Sequence, residues 1–213
     1  MSKIPKSKES PKAEKIIRDN PINNLVKNIY PSWQINKIDL EGTWGLNAIS
    51  KFEFNLNNTI FDELVNLDLS DELHKALTSV NGRHFTSIDD FITKLCYSGS
   101  FVMKSEELKL VLTALTRNIF WSEIYPKLKL FEEKTWFEIE KEQFGDKSKT
   151  KHHFVNVGKI IQEARIRLKT LNLDNYDELF SIRLTGRIRI WGIREHGYMK
   201  ILWFDLEHAI CPT

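Results

Sequence analysis

Arginine side chains recur near the C-terminal end of the chain, where polar and apolar residues alternate. Arg183, Arg187 and Arg189 lie close together in sequence, and His208 follows them. A guanidinium group is a planar, permanently charged donor that matches the non-bridging oxygens of a phosphate. An imidazole gains or loses a proton near neutral pH. Together, these residue types could hold a phosphodiester and move protons around it.

Cleavage of RNA by its own 2′-hydroxyl is one reaction that such a set could perform. The reaction needs a base for the 2′-hydroxyl, cations around the phosphorane and an acid for the 5′-oxygen, and it needs no metal. Arg183 and Arg189 are the candidate cations, and His208 is the candidate acid or base. Three carboxylates could complement the histidine: Glu178, Asp205 and Glu207. Arginines on an exposed strand also occur in proteins without catalysis, so a binding surface is an alternative.

The alternation around the arginines predicts a three-stranded antiparallel meander over residues 178–210, with turns at Thr185-Gly186 and Gly197. We expect Arg183 and Arg189 on one face, opposite the apolar residues, and nearly facing each other across the first turn. The meander's last strand, residues 198–204, is apolar enough to be the central strand, covered on both faces.

Period-two alternation also predicts that Trp203 points to the face opposite Leu202.

The remaining chain predicts an α+β fold: an antiparallel sheet, made of the C-terminal meander and an N-terminal strand within residues 33–40, with packed helices and a helical insertion. Helical spacing of apolar residues dominates between Thr59 and Leu171. Ser87 and the Thr135/Glu138 capping box mark helix starts, and Pro126 is expected to end a helix. The predicted organisation is a disordered tail, a first-strand region, a helical insertion and a C-terminal α+β unit, at residues 1–20, 21–51, 52–125 and 126–213.

Charge is unevenly distributed although the formal net charge is only +2. The segment between Lys51 and Lys75 is acidic, whereas the C-terminal part is rich in Lys and Arg. A basic surface favours a polyanionic partner, although solvated surface is the simpler interpretation of the lysines. The candidate nucleic-acid-binding residues are Arg187, Lys149, Lys151, His152, His153, Arg165 and Lys169.

Several other classes of site lack sequence support. The chain has no phosphate-binding glycine loop and no nucleophile elbow, and we expect no cofactor. The pair His152-His153 has no neighbouring ligands, so we expect no metal site, and a basic loop is the alternative. Cys96 and Cys211 lack metal-ligand spacing, and no long apolar run occurs, which predicts reduced thiols in a cytoplasmic protein without a membrane segment.

The C-terminal part of the chain contains, in order, a helix, the sequence Asp-Glu-Leu-Phe, the pattern R-L-x-G-x-x-R-x-W and a last strand followed by a histidine. This order resembles that of the RelE/YoeB/ParE toxin superfamily. The resemblance covers the chain from Thr135 onward, with an N-terminal strand added. It implies that Arg183, Arg189 and His208 act on the phosphate and the leaving group. It also implies RNA, including ribosome-bound mRNA, and an antitoxin protein as partners. The ending W-F-D-L-E-H-A-I-C-P also resembles uncharacterised bacterial proteins with a terminal W-[WF]-D-x-x-H-x-[VI]-x-P motif.

Three functional hypotheses follow. The first is a metal-independent RNA endonuclease of toxin type, acting in growth control or phage defence. The second is a non-catalytic protein of the same fold that binds a protein or nucleic acid. The third is an antitoxin-like inhibitory module, whose acidic helices between Glu53 and Glu72 would mimic nucleic acid.

Overall fold

The computed structural model describes residues 28–99, 102–144 and 147–212 of the chain. The predicted tail, residues 1–20, therefore lies outside the described residues. The division of the rest of the chain into segments 21–51, 52–125 and 126–213 stays a prediction.

The central feature is a five-stranded mixed sheet. Its strands are β1 (Ser32–Gln34), β6 (His153–Asn156), β7 (Glu178–Arg183), β8 (Arg189–Glu195) and β9 (Tyr198–Asp205), and their order across the sheet is β1-β9-β8-β7-β6. Only β1 pairs in parallel, with β9, and the other neighbours are antiparallel. Two-stranded ladders join β2 (Phe54–Asn55) to β3 (His84–Phe85) and β4 (Gln143–Phe144) to β5 (Lys147–Thr150).

Helices fill most of the chain between β1 and the meander. The α-helices are α1 (Asn58–Val65), α2 (Asp71–Val80), α3 (Ile88–Gly99), α4 (Ser105–Ile119), α5 (Tyr125–Glu132), α6 (Trp136–Lys141) and α7 (Gln162–Thr170). Short 3₁₀ turns cover Leu46–Lys51 and Val157–Lys159. The predicted α+β class is confirmed, and the meander is confirmed over Glu178–Asp205.

Local capping explains several helix starts. The Thr135 side chain accepts from the Glu138 N–H while the Glu138 carboxylate accepts from the Thr135 N–H, which confirms the predicted capping box of α6. At α3, the Ser87 hydroxyl accepts from the Asp90 N–H at 3.0 Å, as predicted. Such caps satisfy N–H groups that have no partner within the helix.

The helix preceding Pro126 does not end as predicted. It passes instead through a π-helical turn, Phe120–Ile124, directly into α5, where the proline occupies the first turn. Proline is tolerated there because first-turn N–H groups have no partner inside their own helix. The wider π turn accommodates the change of register, so the helical path continues to Glu132.

Both faces of the sheet are buried. Helices α1–α6 share one apolar cluster with the face that carries Phe180, Ile182 and Ile190. Helix α7 contributes Ala164 and Leu168 to a second cluster on the opposite face. The second face, on which Arg183 and Arg189 were predicted to lie, is therefore not an open, solvated surface. It borders the second apolar cluster. As predicted, β9 is covered on both sides, although β8 is the middle strand.

A β-bulge changes the direction of side chains in β9. Trp191 lies opposite Trp203, but Gly192 lies opposite Ile201, so Leu202 is an extra residue in β9. As a result, Leu202 and Trp203 both pack in the second cluster. The prediction that they point to opposite faces was wrong, because simple alternation does not hold across a bulge.

Gly192 is required at this bulge. A Cβ on residue 192 would lie 2.2 Å from the carbonyl oxygen of Lys200, whereas a Cβ on Gly186 would have no heavy atom within 4 Å. We therefore expect Gly192→Ala to lower the free energy of unfolding by about 2–3 kcal/mol, as in other overpacked interiors. Gly186→Ala should leave it nearly unchanged. Urea denaturation of both variants tests this, and equal stability of the two would contradict the bulge geometry.

The N-terminal segment is attached to the sheet by a buried carboxylate. β1 comprises only Ser32–Gln34, and the chain then turns so that Asp39 is completely buried. The Asp39 carboxylate accepts from Arg167 Nε at 2.8 Å and from Trp203 Nε1 at 3.1 Å. It also accepts from the N–H groups of Glu41 and Gly42, which is why the predicted strand does not continue to Leu40. One carboxylate thus joins β1, α7 and β9.

Candidate functional site

The two central arginines lie opposite each other, as predicted. Arg183 ends β7, Arg189 begins β8, and they are paired in the antiparallel register. Side chains of directly opposite residues point to the same face, with Cβ atoms about 4.5–5.5 Å apart. Two permanent positive charges therefore meet at one end of the sheet.

Both guanidinium groups contact the loop that connects β7 to β8. Arg183 donates from Nε to the carbonyl oxygen of Thr185 at 2.8 Å and from Nη2 to that of Gly186 at 3.0 Å. Arg189 Nη1 donates to the same two oxygens, at 3.3 and 3.4 Å, and to that of Ile188 at 3.3 Å. The shared acceptors hold the two groups close together despite their charge. Arg189 is only 8% exposed.

The segment after β9 folds back beside this arginine pair. Asp205 pairs with Arg189 in the sheet register and is completely buried. Its carboxylate accepts from the N–H groups of Ala209 at 2.7 Å and Ile210 at 3.0 Å, and from Trp191 Nε1 at 3.2 Å. These bonds close a turn in which His208 takes a left-handed conformation, with φ of 58°.

Electrostatics place His208 within range of the arginines. The pKa of His208 is lowered, first by partial burial and then by the positive charge of Arg189. Arg183 and His153 lower it further, and Asp205 opposes them. The pKa of Arg189 is lowered by burial and by Arg183. A cluster with this excess of positive charge favours a bound anion.

None of the three predicted carboxylates is placed to complement His208. Glu178 begins β7, at the end away from Arg183, and strand alternation directs it to the other face. Asp205 is occupied by the turn that it closes. Glu207 lies 3.6 Å from Arg187 at the surface, beside a different cleft.

The adjacent histidines occupy different environments. His153 is exposed on the edge strand β6, whereas His152 is buried and contacts the Phe131 ring. His152 Nδ1 accepts from the backbone N–H of Arg183 at 3.2 Å, so the proton of the neutral ring is on Nε2, which lies 3.5 Å from Glu142. Burial lowers the pKa of His152 to about 4. His152 is therefore neutral near pH 7, and its buried ring does not favour the predicted contact with nucleic acid.

The other predicted nucleic-acid-binding residues lie on several elements. Arg165 and Lys169 lie one turn apart on the exposed side of α7. Arg187 is 80% exposed in the loop between β7 and β8. Lys151 lies 3.5 Å from Glu142, and the backbone of Lys149 belongs to β5. Arg165 and Lys169 on α7, Arg187 in the β7–β8 loop and Lys151 beside Glu142 therefore belong to different elements.

A cleft of about 600 Å³ lies beside the β7–β8 loop. His152, Glu142, Lys134, Lys151 and Arg183 are among its lining residues. A second cleft on the other side of the same loop is also about 600 Å³ and includes Lys51, Lys127 and Arg187. The first cleft, which also includes Lys127, has an excess of positive charge, whereas the three cations of the second are matched by Glu53, Glu123 and Glu207.

Within the part of the chain that the structure describes, no group of three or more His, Cys, Asp or Glu side chains is arranged to hold a metal ion. The described helices also include none whose length and apolarity would suit a membrane crossing.

The sequence named His153 only as a candidate nucleic-acid-binding residue and did not connect it with the arginine pair. A weak signal was present in His153-Phe154-Val155-Asn156, because aromatic and β-branched residues such as Phe154 and Val155 are enriched in strands. Strand β6 pairs with β7 and so brings His153 beside Arg183.

The fold and the site together define a class: an α+β protein with paired, partly buried arginines at one end of a mixed sheet and histidines on either side of them. Comparison of the chain with protein-family models, with curated proteins and with solved structures finds no match.

Proposed function

We propose that this protein is a metal-independent RNA endonuclease of toxin type that acts in the cytoplasm, in growth control or phage defence. The observation that carries the proposal is the pairing of Arg183 with Arg189, with His208 folded back beside them by Asp205. This arrangement supplies cations for a phosphate and a titratable group at its edge.

In the proposed reaction the 2′-oxygen attacks the adjacent phosphorus, and the bond from phosphorus to the 5′-oxygen breaks. The products are a 2′,3′-cyclic phosphate and a new 5′-hydroxyl. The guanidinium groups of Arg183 and Arg189 stabilise the extra negative charge of the phosphorane. His208, whose pKa is lowered, is neutral near pH 7 and accepts the proton of the 2′-hydroxyl.

The resemblance to the RelE/YoeB/ParE superfamily supports the same proposal. It points to the same three residues and implies RNA, including mRNA on the ribosome, as the substrate and an antitoxin protein as the regulator.

A second candidate is a non-catalytic protein of this fold that binds a nucleic acid or a protein. One observation favours it: the Arg189 guanidinium donates hydrogen bonds to carbonyl oxygens of the loop, as an arginine with a purely structural role would also do. In this case the cationic cluster would bind phosphate without cleaving it.

Incubation of the purified protein with RNA in EDTA tests the proposal. We expect cleavage with 2′,3′-cyclic phosphate ends, and a decrease of about 10²–10⁴-fold for His208→Gln, because a positioned acid or base contributes rate factors of that size. Circular dichroism of the variant controls for folding. Binding of RNA without any cleavage would support the second candidate instead.

A further inference from the structure

The proposed reaction needs two proton-transfer groups, and His208 is only one of them. The 5′-oxygen leaves as an unstable alkoxide unless an acid protonates it. The three carboxylates that the sequence offered are directed elsewhere or occupied by a turn, so the second group must come from another element.

His153 is the titratable side chain that β6 brings to this face. It pairs with Ser181, two residues before Arg183, so its side chain shares the face of Ser181 and Arg183. Diagonal neighbours on adjacent strands are separated by about 7–8 Å, within reach of long and aromatic side chains. His153 is exposed, and it is close enough to His208 to lower the pKa of that residue.

The order of strands places the two histidines on opposite sides of the arginine pair. β6 carries His153, β7 and β8 carry Arg183 and Arg189, and His208 follows β9 on the far side. In-line attack at phosphorus requires the entering 2′-oxygen and the leaving 5′-oxygen to lie on opposite sides of the phosphorus atom. A phosphate held between the arginines would therefore present one oxygen to each histidine.

We propose that His153 is the general acid of this site and donates its imidazolium proton to the 5′-oxygen as the bond from phosphorus to that oxygen breaks. The inference rests on the proposed function and adds a residue to it. His208 takes the 2′-proton, so one proton enters and one leaves the enzyme in each cleavage. Two groups that carry or take up positive charge lie near His153: Arg183, its diagonal neighbour on β7, and His208, whose pKa it lowers.

A substrate with a 5′-bridging sulfur tests this role directly. A thiolate is a good leaving group and needs no protonation, so loss of the general acid should matter little for that substrate. We expect His153→Gln to cut normal RNA about 10²–10⁴-fold more slowly than the unmodified protein, and the sulfur-bridged RNA at a rate close to that protein's. His208→Gln, the matched control, should be slow on both substrates.

Each other result has a defined meaning. Equal loss on both substrates would mean that His153 binds or positions RNA, and would overturn the assignment as an acid. Unchanged cleavage of normal RNA by a folded His153→Gln would also overturn it while leaving the proposed function intact. Absence of cleavage by the unmodified protein would instead overturn the proposed function itself.

Discussion

Replacement of Arg189 with alanine should lower kcat for RNA cleavage by about 10²–10³-fold, the effect of removing one preorganised donor from a site of developing negative charge. Arg189 is 8% exposed and lies opposite Arg183, so a phosphate bound there would contact a guanidinium that is already fixed in place. Fixed donors stabilise a transition state without reorganising, whereas exposed ones must first be ordered. Single-turnover kinetics on a short RNA would measure the effect.

Arg187→Ala is the matched control for this prediction. Arg187 belongs to the same loop but is 80% exposed and lies 3.6 Å from Glu207 at the surface. A surface ion pair contributes less than about 1 kcal/mol, so we expect kcat to be nearly unchanged and any effect to appear in KM. Arg189→Lys keeps the charge but loses the fork of donors, and should fall between the two alanine variants.

The Arg189→Ala variant must also remain folded. The Arg189 guanidinium donates to three carbonyl oxygens of the loop, and their loss could loosen it. Thermal unfolding with unchanged cooperativity would show that the sheet persists. Cleavage at the rate of the unmodified protein by a folded Arg189→Ala would contradict a catalytic role and leave the binding function as the proposal.

The meander could be predicted because its signals are local. The turns near Gly186 and Gly197 and the Thr135/Glu138 capping box each act within a few residues, and the structure confirms them. The pairing of Arg183 with Arg189 followed from the same reasoning, because the register of a hairpin is determined near its turn. The central part of the candidate site could therefore be predicted from the sequence.

The bulge in β9 could not be predicted from the sequence in the same way. Leu202 and Trp203 share a face because the partner strand lacks one residue, and only Gly192 marks the place. A glycine inside a strand can indicate a bulge or a close backbone contact, but sequence does not say which. The π turn before Pro126 is a similar case, since proline is compatible with both a helix end and a helix start.

The roles of individual arginines depended on partners far away in sequence. Arg194 follows Arg189 in the same strand, yet its side chain is 8% exposed, stacks 4.7 Å from the Trp136 ring and forms an ion pair with Glu140. Arg167 binds a carboxylate 128 residues away. Their spacing in sequence does not distinguish such structural arginines from a site arginine, because tertiary contacts determine which guanidinium groups are left for a ligand.

Arg167→Met should destabilise the fold by about 3–5 kcal/mol, more than Gly192→Ala does. Asp39 is completely buried, and the variant would leave its charge without the guanidinium that it faces. Breaking a buried pair by removing one partner costs more than removing both, because the remaining charge stays desolvated. Arg165→Met is the matched control: Arg165 lies two residues away on the exposed side of α7, and we expect a change within about 0.5 kcal/mol.

The same carboxylate makes stability depend on acid pH. Burial tends to raise the pKa of Asp39, but hydrogen bonds from Arg167, Gly42, Glu41 and Trp203 lower it from 3.8 to about 2. The pKa of Asp39 is lower in the folded protein than in the unfolded chain. The stabilisation that the ionised carboxylate contributes is therefore complete above about pH 4 and is lost as the pH falls towards 2. The difference between the two pKa values corresponds to about 2 kcal/mol in the free energy of unfolding.

Urea denaturation of the unmodified protein and of Asp39→Asn, at several pH values from 5 to 2, would isolate this contribution. Glu195 has a pKa of about 2 for similar reasons, led by hydrogen bonds from Lys200 and Tyr176, so both proteins should lose some stability in acid. The unmodified protein should lose about 2 kcal/mol more than the variant, because asparagine has no proton to gain. Parallel acid curves for the two proteins would contradict the ionised state of Asp39, and with it the account of how β1, α7 and β9 are held together.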